Sequence, residues 1–383
     1  MEKCVQIDNA RRIDAYLNSK STQMADAIYR NPVSQYTCRD RLDAEKAGLF
    51  RRYPLHLAFS CEMPEPGDFM TDDFSGVPIL LVRGNDGRIN AFLNVCRHRG
   101  APVADGCGKG KPNFVCPYHA WVYGIDGSLE FVPGEEGFEG FDKALHGLTP
   151  LPVQEKYGMI WAMMQPGPDF EIDDYLGGLA ADLSSYGFSD FHHYETRELS
   201  PRMNWKLVVD TFLESYHIRT LHRNSIAPLI ESNVSTFDGL GNNLRTIYVR
   251  KNYGEMASLP EDRWSLIPYT TIVYVLFPNT VLVVQQEQVE TWRIYPDGND
   301  PNLAKMHVSL YTPEPVSTEG AERHWANNMN LLIRVVDQED FPLGERMQVG
   351  FHSAAQRHIT FGRNEPALGH FHRRLDEVVL ATA

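Results

Sequence analysis

The chain has 383 residues, 43% hydrophobic and 22% charged, enough for two or three domains with sizeable cores and unlike a collagen-like or disordered chain. Its 36 Lys+Arg stand against 50 Asp+Glu, a formal charge of −14, and without a long basic run no nucleic-acid or anionic-membrane surface is expected. The opening MEKCVQIDNARRIDAYL lacks the apolar core of a signal peptide, and the greasiest stretch, 272–284, is broken at Pro278 and too short to span a bilayer, so a cytoplasmic protein with no membrane partner is expected.

Residues 1–45 read as helical: 10–17 has helical spacing, and 41–50 alternates charges around Leu42, Ala47 and Leu49. From Leu55 the texture changes to short strands (LHLAFSCE, PILLVRG, INAFLNVC) separated by Gly, Pro and Asp, and it continues to YGMIWAMMQ. The turn-rich 166–174 reads as a linker. Beyond it, 204–216 has a helical pattern. Residues 244–251, 269–295 and 306–314 favour antiparallel strands, and 321–336 and 366–381 are helical again. The expected organisation is a helical segment over 1–45, an all-β domain over 46–166 and a larger α+β domain over 167–383. The all-β domain is thus inserted near the start of the α+β domain. None of the six cysteines lies beyond Cys116, so metal is expected before disulfides.

Two constellations carry chemistry. In the first, Cys96-Arg97-His98 is followed by Cys116-Pro117-Tyr118-His119, each pair on a short loop between strands. Two such loops can hold a [2Fe–2S] cluster, with two Cys on one iron and two His on the other. A Cys₂His₂ zinc site is the competing use, although Cys96-x-His98 is tighter than zinc spacing favours. Cys107, between the loops, reads as a packed free thiol.

The second constellation lies in NWKLVVDTFLESYHIRTLH (204–222). Asp210, Glu214 and His217 share one face if the helix is continuous, and His222 follows five residues later. Two histidines and a carboxylate on one side of a metal leave the other positions free. Spacing alone leaves the third ligand open among Asp337, Glu339 and Asp340.

CRHRG (96–100) and CPYHAW (116–121) resemble the signature loops of Rieske non-haem iron oxygenases, and the later segments resemble that family's catalytic-domain motif. The resemblance implies an all-β Rieske domain inserted in a helix-grip (START-like) catalytic domain whose antiparallel sheet lines the pocket. It also implies that His217, His222 and Asp340 bind a mononuclear Fe(II), with VVDQEDFPLGERMQVGFHS (335–353) supplying Asp340. The family's acid three positions before the first iron-binding His bridges it to a cluster-binding His of the neighbouring subunit. Here that is Glu214, joining His217 to His119, with Asp210 supporting the network. Two residues depart from the commonest pattern. Ala120 stands where the family usually has Gly, and Glu214 stands where ring-dihydroxylating members usually have Asp. Members acting on quaternary ammonium compounds resemble the chain better in that second respect.

The implied protein is a terminal oxygenase (α) component. It would use O2, with electrons from NAD(P)H through a separate reductase, with or without a ferredoxin, since no GxGxxG or flavin segment is present. An intersubunit bridge implies a head-to-tail ring, most simply a homotrimer, with or without a β subunit. Two other classes stay open, a pure Rieske electron carrier and a zinc-stabilised binding module. For the substrate, Tyr248, Tyr253, Trp264, Tyr269 and Tyr274 could form an aromatic cage or pack in the sheet. Arg245, Arg250 or Lys251 could anchor a carboxylate. Alternation puts Arg245 and Lys251 on one strand face and Tyr248 and Arg250 on the other, without saying which faces the pocket. Arg97, Arg99, Lys109 and Lys111 give the cluster-binding segment a positive balance suited to an acidic electron donor.

Overall fold

Short runs of β-branched and aromatic residues, closed by Gly, Pro and Asp turns, cannot extend far before the chain must reverse, and three small antiparallel sheets result. A computed structural model describes residues 1–382. The chain divides into two compact units, one over Phe50–Ile172 and one combining Met1–Leu49 with the chain from Asp173 onward.

In the first unit the strands are Leu55–Phe59 (β1), Phe69–Asp72 (β2), Ile79–Arg83 (β3), Ile89–Leu93 (β4), Cys107–Gly108 (β5), Asn113–Val115 (β6), Val122–Gly124 (β7), Leu129–Phe131 (β8), Val153–Lys156 (β9) and Met159–Ala162 (β10). They form sheets ordered β9-β10-β1, β4-β3-β2-β5 and β6-β7-β8. The core here includes Leu80, Val82, Phe92, Phe114, Trp121 and Tyr123, and Cys96 and Cys116 are buried within it.

The second unit is built on a seven-stranded antiparallel sheet of His192–Leu199 (β11), Ile230–Leu240 (β12), Asn243–Arg250 (β13), Thr270–Leu276 (β14), Thr280–Val284 (β15), Val289–Pro296 (β16) and Ala304–Thr312 (β17). The strand order is β11-β17-β16-β15-β14-β13-β12. Strands β14, β15 and β16 are buried along their whole length, as strands covered on both faces must be.

Its helices include Lys3–Ser19 (α1), Trp205–Asp210 (α2), Ile218–Leu221 (α3), Glu319–Val335 (α4), Phe341–Phe351 (α5) and Pro366–Thr382 (α6). Helix α6 packs against β12 and β13, and α2 against β16. Residues 1–45 are not wholly helical, because Tyr29–Pro32 pairs as a strand with His358–Phe361. No helix among the described residues is long and apolar enough to cross a membrane.

Candidate metal centres and the pocket beside the second

The two loops of the first constellation fold alike. In each, the Cys N–H donates to the carbonyl five residues on (Cys96 to Ala101, Cys116 to Trp121, both 2.8 Å), and the N–H four residues on returns to the Cys carbonyl (Gly100 to Cys96, 2.9 Å; Ala120 to Cys116, 3.0 Å). Closing such a turn puts the fourth residue after the Cys in the left-handed region. Gly100 sits at φ +82° without penalty, and Ala120 adopts +55° against its Cβ.

The thiols of Cys96 and Cys116 are neighbours inside the unit's core, and burial pushes the Cys116 thiol up. The Tyr123 hydroxyl, 3.3 Å from Cys96 Sγ, accepts the Arg97 N–H at 2.9 Å. The His98 and His119 rings lie 4.5 Å apart, with His98 stacked on Trp121. Both rings keep a buried Nδ1 with no hydrogen-bond partner. Two orphaned imidazole nitrogens opposite two buried thiols are what a Rieske cluster requires, since burying polar atoms unpaired is otherwise costly. Cys107, by contrast, is exposed on β5 and not packed.

The second constellation is not on one helix. Helix α2 ends at Asp210, where Phe212 and Leu213 turn back to Val209 and Asp210 through tighter bonds. The Glu214 carboxylate then takes the backbone N–H groups of Tyr216 and His217, which a continuing helix would have bonded internally. The break separates the two acids. Asp210 is buried and accepts from the Tyr36 hydroxyl (2.6 Å) and from His372 Nε2 (2.8 Å). Its carboxylate oxygens bond to those two groups and not to Glu214 or His217.

Glu214 instead reaches the His217 Nδ1. On the other ring, His222 Nδ1 donates to Glu339 Oε2 at 2.6 Å, and the Ser225 hydroxyl steadies the same oxygen at 2.7 Å. With each Nδ1 engaged by a carboxylate, the Nε2 lone pairs point inward and lie 3.1 Å apart. Asp340 Oδ1 joins them at 3.3 Å from His222 and 3.7 Å from His217. Two imidazole lone pairs facing each other beside a carboxylate repel unless a cation lies among them, so the donor set fits a metal ion. The three donor atoms lie within 4.8 Å of one another.

Asp340 arrives through a π-helical turn, Val336–Asp340, between α4 and α5. The same turn sends Glu339 to the far side of His222 and leaves Asp337 exposed. Glu339, weighed from sequence only as an alternative ligand, therefore acts behind the histidine.

These groups open onto a cavity of about 220 Å³ between the sheet and α4. Its walls include Phe212, Tyr248, Arg250, Val283, Glu290 and Trp292 as well as His217, His222 and Asp340. The face of β13 that meets the cavity is therefore that of Tyr248 and Arg250. Arg245 lies on the other face, ion-paired with Asp182 and Asp238, and Lys251 pairs with Glu231. Nor do the five aromatic residues form one cage. Tyr248 lines the cavity, but Tyr274 donates to Asp182 (2.9 Å), Tyr253 to the Ala10 carbonyl (3.0 Å) and Trp264 to the Leu259 carbonyl (2.9 Å).

A small β domain with a Cys₂His₂ pair of loops, in one chain with an α+β domain holding a two-His, one-carboxylate set, defines a two-centre iron protein. The chain belongs to the Rieske non-haem iron oxygenases. The family model described as ring hydroxylating alpha subunit (catalytic domain) matches residues 188–381, and that of the Rieske [2Fe–2S] domain matches 54–143. A Rieske cluster and a mononuclear iron are the cofactors of this family.

The glycine betaine monooxygenase oxygenase subunit of Chromohalobacter salexigens is 36% identical over 188 residues, which is 49% of this chain and 42% of that protein. The carnitine monooxygenase oxygenase subunit of Acinetobacter baumannii is 33% identical over 199 residues, 51% of this chain and 53% of that protein. The chain thus spans about half the length of the curated relatives it matches. In overall fold it is similar to the crystal structure of the quaternary ammonium Rieske monooxygenase CntA, with a TM-score of 0.80 at 24% identity over 92% of this chain and 96% of that one.

Proposed function

We propose that this chain is the terminal oxygenase of a multicomponent system that uses O2 to oxidise a C–H bond of a small organic substrate, a quaternary amine before an aromatic compound. The observation that carries it is the placement of His217, His222 and Asp340 on the wall of an otherwise largely apolar cavity. Cys96, His98, Cys116 and His119 would hold the cluster, and His217, His222 and Asp340 the iron. When bound, the cluster supplies electrons singly and the iron supplies O2 activation at positions its three protein donors leave open.

The chain's own residues do the rest. Glu214 and Glu339 fix both imidazoles with Nε2 inward, while Phe212, Val283 and Trp292 exclude water from beside them. Asp210, locked by Tyr36 and His372, holds the end of α2 from which Glu214 is presented. Inserting one oxygen atom into a C–H bond, with the other leaving as water, takes two electrons and two protons. NAD(P)H would supply the two electrons and one of the protons through a reductase, with or without a ferredoxin, in the cytoplasm, and solvent water the other proton. The exposed Arg97, Arg99, Lys109 and Lys111 beside the cluster loops suit an acidic donor. Glu214 is proposed to bridge His217 to His119 of the partner subunit in a ring of three copies. The names of the relatives, for glycine betaine and carnitine, favour the amine.

The test is a single turnover. The protein is reduced chemically, freed of excess reductant and mixed with O2 and one of two panels, quaternary amines or aromatic acids and hydrocarbons. Mass spectrometry should find product from the amine panel. Iron equivalent to the cluster alone, with no product from either panel, would overturn the proposal in favour of an electron carrier.

A further inference from the structure

Within the cavity one acid has no role in the iron site. Glu290, on β16, is 2% exposed and carries no ion pair among the described residues. Its Oε1 accepts from Gln285 Nε2 (2.9 Å) and Gln288 Nε2 (2.6 Å), and its Oε2 takes only a long contact from Trp292 Nε1 (3.4 Å). A carboxylate buried with neutral donors alone is expensive to keep ionised, and burial pushes Glu290 up to about 7. No charged neighbour contributes to that shift. The cavity's other charged and titratable groups are Arg250 and Tyr248 on β13 and the iron-site set of Glu214, His217, His222 and Asp340. Residue 290 stands level with Val283 of β15, itself level with Val273 of β14 and then Thr246 of β13, so Arg250 is three strands across and four residues along. At about 4.8 Å per strand the two backbones are on the order of 14 Å apart in the cross-strand direction alone.

Beside the carboxylate the wall is aromatic. Trp292, two residues on and on the same face of β16, packs its ring 4.9 Å from that of Phe212, and both line the cavity. An unpaired buried anion next to an indole and a phenyl ring is a complementary surface for an organic cation, which both the charge and the ring faces attract.

We propose that Glu290 is the charge-recognition residue of the substrate pocket, seating a cationic ammonium head group against Trp292 and Phe212. The proposal rests on the reading of this cavity as the substrate pocket. It assigns specificity to a residue outside both metal centres, held by the amides of Gln285 and Gln288.

The experiment is calorimetric titration of the holoprotein at about pH 8, where Glu290 is mostly ionised. The two probes are choline and 3,3-dimethylbutanol, in which carbon replaces the charged nitrogen. Choline should bind at least about tenfold tighter than its neutral isostere. Glu290→Gln should weaken choline about 10- to 100-fold while leaving the isostere nearly unchanged, and Glu290→Asp should keep the preference. Equal affinity of wild type for both probes, binding of neither, or undiminished choline binding by a folded Glu290→Gln protein would overturn the proposal. Metal content and O2 uptake on the same samples separate the two readings. Failure of the oxygenase reading leaves choline bound without iron-dependent O2 consumption, whereas failure of this one leaves O2 consumption intact without the preference.

Discussion

Removing the Glu339 carboxylate should loosen the mononuclear iron although Glu339 does not touch it. His222 Nδ1 donates to Glu339 Oε2 at 2.6 Å, which fixes the tautomer and makes the opposite nitrogen a better donor to metal. Losing such a partner costs about 10- to 100-fold in metal affinity, or about 1.4–2.8 kcal/mol. Ser225 holds the same oxygen at 2.7 Å, so Ser225→Ala should cost about 1 kcal/mol, roughly fivefold, by leaving the carboxylate less well placed. Because the serine acts through Glu339, the double variant should be no worse than Glu339→Ala alone, and a double-mutant cycle should return the whole serine effect as coupling. Asp337→Asn, on the exposed side of the π-helical turn, is the control and should change nothing. The assay is anaerobic Fe(II) titration of protein stripped of the mononuclear metal, with the visible spectrum of the cluster as the check that the other unit is intact. An affinity of Glu339→Ala within about twofold of wild type, or serine and glutamate effects that simply add, would refute the reasoning.

Glu214→Gln, whose amide oxygen can still accept from His217 Nδ1, should at saturating Fe(II) load both centres and slow electron transfer between them, read as slower cluster oxidation in a single turnover; full-rate oxidation would argue against the bridge. Ala120→Gly should raise the unfolding free energy by up to about 1 kcal/mol in urea melts, because the +55° backbone is relieved of its Cβ and the added freedom of the unfolded glycine offsets only part of the gain. Lys109→Glu with Lys111→Glu should slow cluster reduction by an acidic reductase and flatten its salt dependence; unchanged stopped-flow kinetics would dismiss the basic face. Glu290 also has a stability signature. With burial holding its folded value near 7 against an ordinary 4.5, the folded state keeps a proton the unfolded chain gives up, so stability falls as pH rises between those values and levels off above. Glu290→Gln should therefore gain on wild type from pH 5 to pH 8 in urea melts, and a constant difference would show that the carboxylate is not held protonated.

The two loops proposed to hold the cluster were legible as turns because each is a closed local device, with both candidate donors and the turn that aims them lying within six consecutive residues. Of the proposed iron site, the sequence offered residue types but not their arrangement. Helical periodicity put Asp210, Glu214 and His217 on one face, yet Glu214 opens that helix by capturing the N–H groups of Tyr216 and His217, a competition that apolar spacing does not register. At 339 and 340 a period of 3.6 could not say that a π turn would send adjacent acids to opposite sides of one imidazole. Strand alternation likewise divided 244–251 into two faces but could not choose between them. That choice is made by Asp182 and Asp238, which claim Arg245 for the buried face and leave Arg250 to the cavity. A signal for Glu290 was available, a single acid between β-branched residues and a tryptophan in a strand otherwise fit for burial. Such an acid is either an edge-strand solubiliser or a deliberate buried charge. Its position in the middle of seven strands excludes the edge. In this chain the proposed metal donors sit on or beside turns, where sequence speaks locally, and the proposed selectivity residue sits on the sheet, where the outcome depends on which distant side chains neutralise which strand face.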